Sequence, residues 1–211
     1  MSDASSPDRA SAGRPTYDAR TALIVVDVQN DFADPSGSLY VEGGEQIVPL
    51  VNDEIAAARE AGATVVLTQD WHPPSTPHFV DQGGTWPAHC VRGTWGAELH
   101  ADLDREADLV IRKGTGGEDG YSAFTVIDPQ RGDRHPTGLA GFLRERGIDA
   151  AVVVGLAADV CVKATAVDAA HDGLRTTVRW DATRAVEVHP GDADRARDEM
   201  LEAGVVLVGA P

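Results

Sequence analysis

Basic residues are scarce in this sequence of 211 residues. Only 18 lysines and arginines stand against 34 aspartates and glutamates, which gives a net charge of −16. Nucleic acids and anionic membranes bind to basic faces, so we expect neither as a partner. Apolar runs long enough to cross a bilayer are also missing. The first fifteen residues have no apolar stretch of the signal-peptide kind, so we expect no secretion signal.

Cysteine and lysine occur only twice each. Cys90 and Cys161 are too few for a disulfide framework, so we expect a cytoplasmic protein. Lys113 and Lys163 are outnumbered by 16 arginines. Because the chain prefers arginine this strongly, a retained lysine indicates a position that requires an ammonium group. The oligomeric state cannot be predicted from such counts, and a homo-oligomer stays open.

Apolar, β-branched runs alternate with helical patterns along most of the chain. Strands are predicted at 22–28, 64–70, 107–113, 150–156, 174–180 and 205–209. Helices are predicted at 46–61, 137–149, 160–171 and 192–204. Continuous apolar strands separated by helices predict an α/β domain, with a six-stranded parallel sheet flanked by helices on both faces in a Rossmann-like layering. We expect this single domain to span 20–211, after a disordered polar leader at 1–19.

Two long segments, 71–106 and 114–136, interrupt the alternation. They are rich in glycine, proline, tryptophan and histidine. Long loops in compact domains are usually functional or disordered, and ligands of parallel sheets bind beyond the carboxyl ends of the strands. Both segments leave from such ends, and so does the stretch "GLAADVCV" at 155–162. We therefore expect the functional site at this edge of the sheet.

Three residues with reactive side chains stand at predicted strand ends: Asp27, Lys113 and Cys161. Each also has an ordinary interpretation, as a structural acceptor, a solvated cation and a small core residue respectively. If they converge, a thiol nucleophile, an ammonium group and a proton-shuttling carboxylate form a set for acyl transfer. The ammonium group of Lys113 and a helix N-terminus near Cys161 both favour a thiolate.

Histidine is concentrated in the first long segment. Three of the seven histidines, His72, His78 and His89, lie within 18 residues, and Asp70 precedes them. One carboxylate and three imidazoles fit a single divalent transition metal, with zinc, iron and manganese all acceptable. The alternative is a loop of solvated histidines.

Aromatic residues make up only 5% of the chain, yet several lie close to these candidates. Trp86 is in the histidine-rich segment, and Phe32 follows Asp27 by five residues. Both fit ordinary packing, or a pair of rings that sandwich a flat ligand, since aromatic rings favour stacked contacts.

Five motifs in order give the sequence a family resemblance. They are "DVQNDF", "TQDWHPPSTPHF", "WPAHCVRGTWGAEL", "KGTGGEDGYSAF" and "GLAADVCVKATAVDA". Together they resemble the nicotinamidase (pyrazinamidase) branch of the isochorismatase-like cysteine hydrolases, over about residues 20–210. The resemblance implies that catalysis falls to Asp27, Lys113 and Cys161, and that the metal ligands are Asp70, His72, His78 and His89.

The resemblance also implies finer features of the site. A cis peptide would join Leu156 to Ala157, and the backbone N–H groups of Ala157 and Cys161 would form an oxyanion hole. The substrate ring would contact Phe32, Trp86 and Tyr121. One position departs from the pattern: the residue after Ala157 is commonly threonine in the family, and here it is Ala158.

The implied activity is hydrolysis of nicotinamide to nicotinate and ammonia through a cysteine thioester, with the pyridine ring anchored by the metal. The small-molecule partner would be a heteroaromatic amide, and the choice among nicotinamide, pyrazinamide and related amides is left open. A related amidohydrolase that acts on a ureido or carbamoyl compound would keep the three catalytic residues without needing the histidines. A protein that only senses a pyridine compound would need the metal and no thiol nucleophile.

Overall fold

The computed structural model describes residues 10–11 and 13–209. A parallel sheet is formed by β2 (Thr21–Val26), β3 (Thr64–Asp70), β4 (Leu109–Lys113), β7 (Ala150–Leu156), β8 (Arg175–Arg184) and β9 (Val206–Val208). The two-residue strand β1 (Ala10–Ser11) pairs in parallel with β9. The strand order is β1-β9-β8-β7-β2-β3-β4. The predicted six-stranded parallel sheet is confirmed, and β1 extends it at one edge.

The central strands are buried on both faces. Every residue of β2, β3 and β7 is buried, as continuous apolar runs predict for the middle of a parallel sheet. Side chains alternate between the two faces. Leu23 and Val25 belong to one apolar cluster, whereas Ala22, Ile24 and Val26 belong to the other.

Helices cover both faces, as predicted. α2 (Val48–Glu60) packs on the first face through Val51 and Ile55. α3 (Leu139–Glu145), α4 (Lys163–His171) and α5 (Asp192–Glu202) contribute to the second cluster. The remaining α1 (Asn30–Ala33) is a single buried turn beyond β2. Each fully buried Leu, Ile or Val stabilises the fold by about 1.5–3 kcal/mol, so both layers hold the sheet firmly.

The second long segment contains a hairpin that the sequence did not predict. β5 (Thr125–Ile127) and β6 (Arg134–Pro136) pair in antiparallel fashion outside the main sheet. Both strands are short, and β6 is fully exposed. An apolar alternation of the kind that marks a half-buried strand is therefore missing from this stretch.

Part of the predicted leader lies outside the described residues, at 1–9 and 12. Most of residues 13–19 are exposed, but Tyr17 and Arg14 contact the domain. The ring of Tyr17 packs on the first apolar cluster, and its hydroxyl donates to the buried carboxylate of Glu54. Arg14 contacts the same carboxylate at 3.4 Å. An aromatic ring and a buried acceptor thus fix a stretch whose composition is polar.

Crossing a membrane would take a long apolar helix, and the described residues include none.

Candidate active site and metal centre

The strand ends bring the three predicted catalytic residues together. Asp27 follows β2, Lys113 ends β4, and Cys161 lies in a π-helical turn, Ala158–Val162, after β7. All three are buried, with exposed fractions of 0%, 0% and 6%. Lys113 Nζ donates to Asp27 Oδ2 at 2.7 Å, and Cys161 Sγ lies within 4.8 Å of an Asp27 carboxylate oxygen. This geometry permits proton exchange between thiol and carboxylate with small movements.

Asp27 is held in an unusual conformation. Its φ of 49° lies in the left-handed region, which few residues other than glycine adopt. Thr68 on β3 fixes the residue at two points: its hydroxyl donates to Asp27 Oδ1 at 2.5 Å and accepts the Asp27 N–H at 3.1 Å. Outlying backbone conformations of this kind cluster at functional sites. No pattern in the sequence marks Thr68 as a partner of Asp27, because the two residues are 41 positions apart.

The ammonium group of Lys113 lies close to two carboxylates. Besides Asp27, Lys113 Nζ lies 3.0 Å from Asp70 Oδ1 and donates to the Gly120 carbonyl at 2.6 Å. Burial lowers the pKa of the ammonium group, but Asp27 and Asp70 outweigh it and hold the pKa well above its usual value. Lys113 is therefore a permanent cation between the two acids.

Burial and the nearby charge of Lys113 act in opposite directions on the pKa of the Cys161 thiol. Burial raises the pKa of the Cys161 thiol well above its usual value, Lys113 opposes the rise, and the Asp27 and Asp70 carboxylates add to it. Burial likewise raises the pKa of Asp27, against the pull of Lys113. The Lys113 ammonium group favours the thiolate, as expected from the sequence, but it is shared by two carboxylates and does not outweigh burial. Cys161 thus lies beside the carboxyl group of Asp27, a side chain that can accept a proton from the thiol.

The four predicted metal ligands converge next to this group. Nitrogen atoms of His72, His78 and His89 lie within 4.8 Å of one another. Asp70 Oδ2 is 3.7 Å from His72 Nε2 and 3.8 Å from His89 Nε2. All four side chains are buried, so the alternative of a solvated loop is excluded.

The donor set fits a divalent metal. Both ring nitrogens of His72 are buried without a hydrogen-bond partner among the described residues, which is costly unless a ligand completes them. The pKa of Asp70 is held well below its usual value, because Lys113, His72 and His89 outweigh the opposing effect of burial. An ionised carboxylate with three imidazoles is a set that zinc, iron and manganese accept.

Residues that the sequence reading did not single out hold these ligands in place. Gln29 clamps the backbone of Asp70, donating to its carbonyl and accepting its N–H, both at 2.8 Å. Asp31 accepts the N–H of Cys90 at 2.7 Å and so fixes the chain beside His89. Gln29 and Asp31 both lie in the motif "DVQNDF". Their closeness to Asp27 in the sequence was the one feature that could have marked them as part of the site.

A glycine makes room for the first histidine. Gly114 has a φ of 71°, and a Cβ atom there would lie 2.6 Å from His72 Nδ1. Any other residue would displace the imidazole or strain the backbone. The glycine after the lysine in "KGTGG" therefore leaves room for a histidine of the candidate metal site.

A pocket opens onto both groups. Its wall includes Cys161 and the three residues expected to contact a substrate ring, Phe32, Trp86 and Tyr121. Trp86 Nε1 donates to the Tyr121 hydroxyl at 3.0 Å, which ties two of these rings together. Further residues line the pocket: Leu39, Val41, Asp70, His78, His89, Ala157, Val160 and Val186. The pocket is thus largely apolar, with thiol and metal donors in its wall.

The turn before Cys161 has the expected backbone. The Leu156–Ala157 peptide is cis, and Ala157 lines the pocket. Ala158 is completely buried, so the methyl group that stands in place of the family's common threonine leaves no hydroxyl to satisfy. Asp159 accepts the N–H groups of Val186 and Glu187, both at 2.9 Å, and so joins this turn to the far wall of the pocket.

A parallel α/β sheet that gathers cysteine, carboxylate and lysine at its carboxyl edge, beside a histidine-rich metal centre, defines a cysteine hydrolase. The Isochorismatase domain model matches residues 21–209, and the chain belongs to this family. A nicotinamidase of Acinetobacter baylyi is 44% identical over 208 residues, covering 90% of this chain and 92% of that protein.

Solved structures agree with this assignment. PnC1 from L. infantum, in complex with nicotinate, superposes with a TM-score of 0.82 and 40% identity, covering 92% of this chain and 94% of its own. A pyrazinamidase of Pyrococcus horikoshii, in complex with zinc, has a TM-score of 0.78 and 40% identity, with coverage of 90% and 98%.

Proposed function

We propose that this protein is a nicotinamidase, which hydrolyses nicotinamide to nicotinate and ammonia through a cysteine thioester. The observation that carries the proposal is the shared pocket: Cys161, aromatic rings and metal donors all face one cavity. A flat heteroaromatic ring with a carboxamide needs all three kinds of group. The relatives named as nicotinamidases support the same substrate class.

Asp27 and Cys161 carry the first half of the reaction. Asp27 takes the proton of the thiol as Sγ attacks the amide carbon. The N–H groups of Ala157 and Cys161 donate to the carbonyl oxygen as it becomes an oxyanion, a contact typically worth about 10²–10³ in rate per donor. The C–N bond then breaks, and Asp27 passes its proton to the departing nitrogen, which leaves as ammonia.

The second half releases the acid. Asp27, again ionised, takes a proton from a water molecule as its oxygen attacks the thioester carbon. The C–S bond breaks and the proton returns to Sγ, which restores the thiol. The nicotinic acid that leaves then gives up its carboxyl proton to water and becomes nicotinate. Lys113 stays charged throughout, holding Asp27 at 2.7 Å and offsetting the charge that forms beside it.

The residues that would hold the metal are Asp70, His72, His78 and His89. When bound, a divalent metal supplies a Lewis acid that anchors the pyridine nitrogen of the substrate. Phe32 and Trp86 then orient the ring, and such positioning is worth several kcal/mol of the barrier, on the order of the gains seen in intramolecular reactions. We propose zinc, iron or manganese as the metal, since all three accept this donor set.

A ureido or carbamoyl amidohydrolase is the alternative within the same chemistry. Such a substrate has no ring nitrogen to anchor, and it would leave three buried imidazoles without a role. The burial and convergence of these imidazoles favour nicotinamide. We further propose that the product enters NAD salvage and that the protein works in the cytoplasm, where unpaired thiols such as Cys90 and Cys161 persist.

Ammonia release from nicotinamide tests the proposal. We expect wild-type protein to be active as purified, Cys161→Ala to show no turnover, and metal removal to abolish activity until metal is restored. Cys90→Ala is the matched control, since this second buried cysteine lies outside the pocket lining, and it should stay within a few-fold of wild type. Appreciable turnover by Cys161→Ala would exclude the thioester. Inactive, metal-loaded wild type would point to the ureido or carbamoyl substrates.

A further inference from the structure

The three histidines of the metal centre differ in what holds their outer nitrogen. His78 Nδ1 lies 2.6 Å from Asp119 Oδ1, a carboxylate. His89 Nδ1 lies 2.7 Å from the Pro87 carbonyl, a neutral acceptor. His72 Nδ1 has no hydrogen-bond partner among the described residues. One imidazole of the three is therefore paired with a charged acceptor.

The backbone of Asp119 is fixed independently of its side chain. Its N–H donates to the Ile127 carbonyl and its own carbonyl accepts the Ile127 N–H, both at 2.8 Å. Ile127 ends β5, so the hairpin sets the position of Asp119. A second contact joins the same two segments: Thr76 donates to the Gly117 carbonyl at 3.1 Å and accepts the His78 N–H at 3.3 Å.

We propose that Asp119 is a positioning residue of the metal centre, acting through His78. The carboxylate holds the proton on Nδ1, which leaves Nε2 as a bare donor, and fixes the plane of the ring. A charged acceptor also makes the imidazole a stronger ligand, as carboxylates behind metal-bound histidines do in general. The inference rests on the metal site of the proposed function and adds a residue to it.

The hairpin acquires a role from this assignment. Its strands have three residues each, β5 half-buried and β6 exposed, so they bury little apolar surface. Their contribution is to place Asp119 opposite a histidine that lies 41 positions earlier in the chain. The segment 114–136 therefore serves the metal centre through its carboxylate as well as the pocket through Tyr121.

Zinc affinity of the metal-stripped full chain tests the inference, measured by competition with a chromophoric chelator. Removal of a residue behind a metal-bound histidine typically weakens binding about 10–100-fold, and we expect this for Asp119→Ala. Asp119→Asn keeps an acceptor oxygen without the charge and should fall between Asp119→Ala and wild type. Activity of both variants without added metal should drop, and excess zinc should restore it, which a misfolded site would not allow.

Glu118→Gln is the matched control. It removes a charge from the same loop, but the Glu118 carboxylate accepts the Gly116 N–H at 2.8 Å, whereas Asp119 is the residue paired with His78. Its zinc affinity should equal that of wild type, and an equal loss there would overturn the inference in favour of a general charge effect. Zinc affinity of Asp119→Ala within two-fold of wild type would also overturn it. If Asp119→Ala does not fold, the zinc affinity of Asp119→Asn is measured instead, and a value within two-fold of wild type would overturn the inference. A wild type that binds no zinc removes the metal from the proposed function itself.

Discussion

Replacement of Lys113 by methionine tests how strongly the site depends on its one buried cation. The ammonium group is completely buried and lies 2.7 Å from Asp27 and 3.0 Å from Asp70. Methionine fills a similar volume but leaves both carboxylates without a cation. Removing one partner of a buried ion pair typically costs about 3–5 kcal/mol. In a chain of this size each kcal/mol lowers Tm by about 2–4 °C, so we expect a fall of about 6–20 °C.

The only other lysine provides the control. Lys163 Nζ forms an ion pair with Glu199 at 2.9 Å, and its partner is 55% exposed. Exposed pairs contribute about 0–1 kcal/mol, so Lys163→Met should change Tm by only a few degrees, roughly the effect of 1 kcal/mol. Thermal and urea unfolding of metal-free protein at pH 7 measure both variants. Equal destabilisation by the two substitutions would refute the reasoning.

A double-mutant cycle separates the charge from the packing. Asp27→Asn removes one of the two carboxylates, so Lys113→Met should cost less in that background, by about 0.5–3 kcal/mol.

The pH dependence of the stability that Lys113 contributes has a definite sign. The pKa of Lys113 is raised on folding, so its contribution is complete below the unfolded pKa of about 10.4 and is lost as pH rises through the folded value. The stability difference between wild type and Lys113→Met, as far as it reflects this lysine, should therefore be constant from about pH 6 to 9.

Two further substitutions address the base and the pocket. The Thr68 hydroxyl donates to Asp27 and so lowers the pKa of the Asp27 carboxyl group. Thr68→Val removes this hydroxyl, so the acidic limb of the kcat/KM profile should move to higher pH. Thr68→Ser keeps the hydroxyl and should leave the acidic limb in place. Movement of the limb toward lower pH in Thr68→Val would contradict the assignment of Asp27 as base. Trp86→Phe keeps a ring but loses the 3.0 Å hydrogen bond to Tyr121, typically worth about 0.5–1.5 kcal/mol. KM should rise about 2–12-fold with kcat preserved, and a fall in kcat alone would argue against a binding role.

The sheet was predictable from sequence because its central strands are continuous apolar runs. β2, β3 and β7 are buried at every residue, and such runs need no knowledge of partners to be recognised. The convergence of Asp27, Lys113 and Cys161 followed from one topological rule, that parallel strands end at the same edge. The convergence of His72, His78 and His89 was predictable because the three residues lie close together along the chain.

Contacts between distant segments were not predictable in this way. Thr68 and Asp119 each act on a residue 41 positions away, and no spacing or composition marks them. The hairpin lacks an apolar alternation, since β6 is exposed throughout. The charge state of Cys161 depends on depth of burial and on the second carboxylate at Lys113, and both are properties of the folded site.

The order of the strands divides the assembly of the site into two stages during synthesis. Asp27 follows β2, Asp70 ends β3 and Lys113 ends β4. These three strands are neighbours in the sheet and lie within the first 113 residues. Cys161 arrives with β7, whose pairing with β2 joins Thr21 to Ala150. A chain emerging from the ribosome thus exposes its charged half-site before its nucleophile exists. Because Cys161 follows β7, catalytic activity can be detected only after β7 has paired with its two neighbours, β2 and β8, at the centre of the sheet.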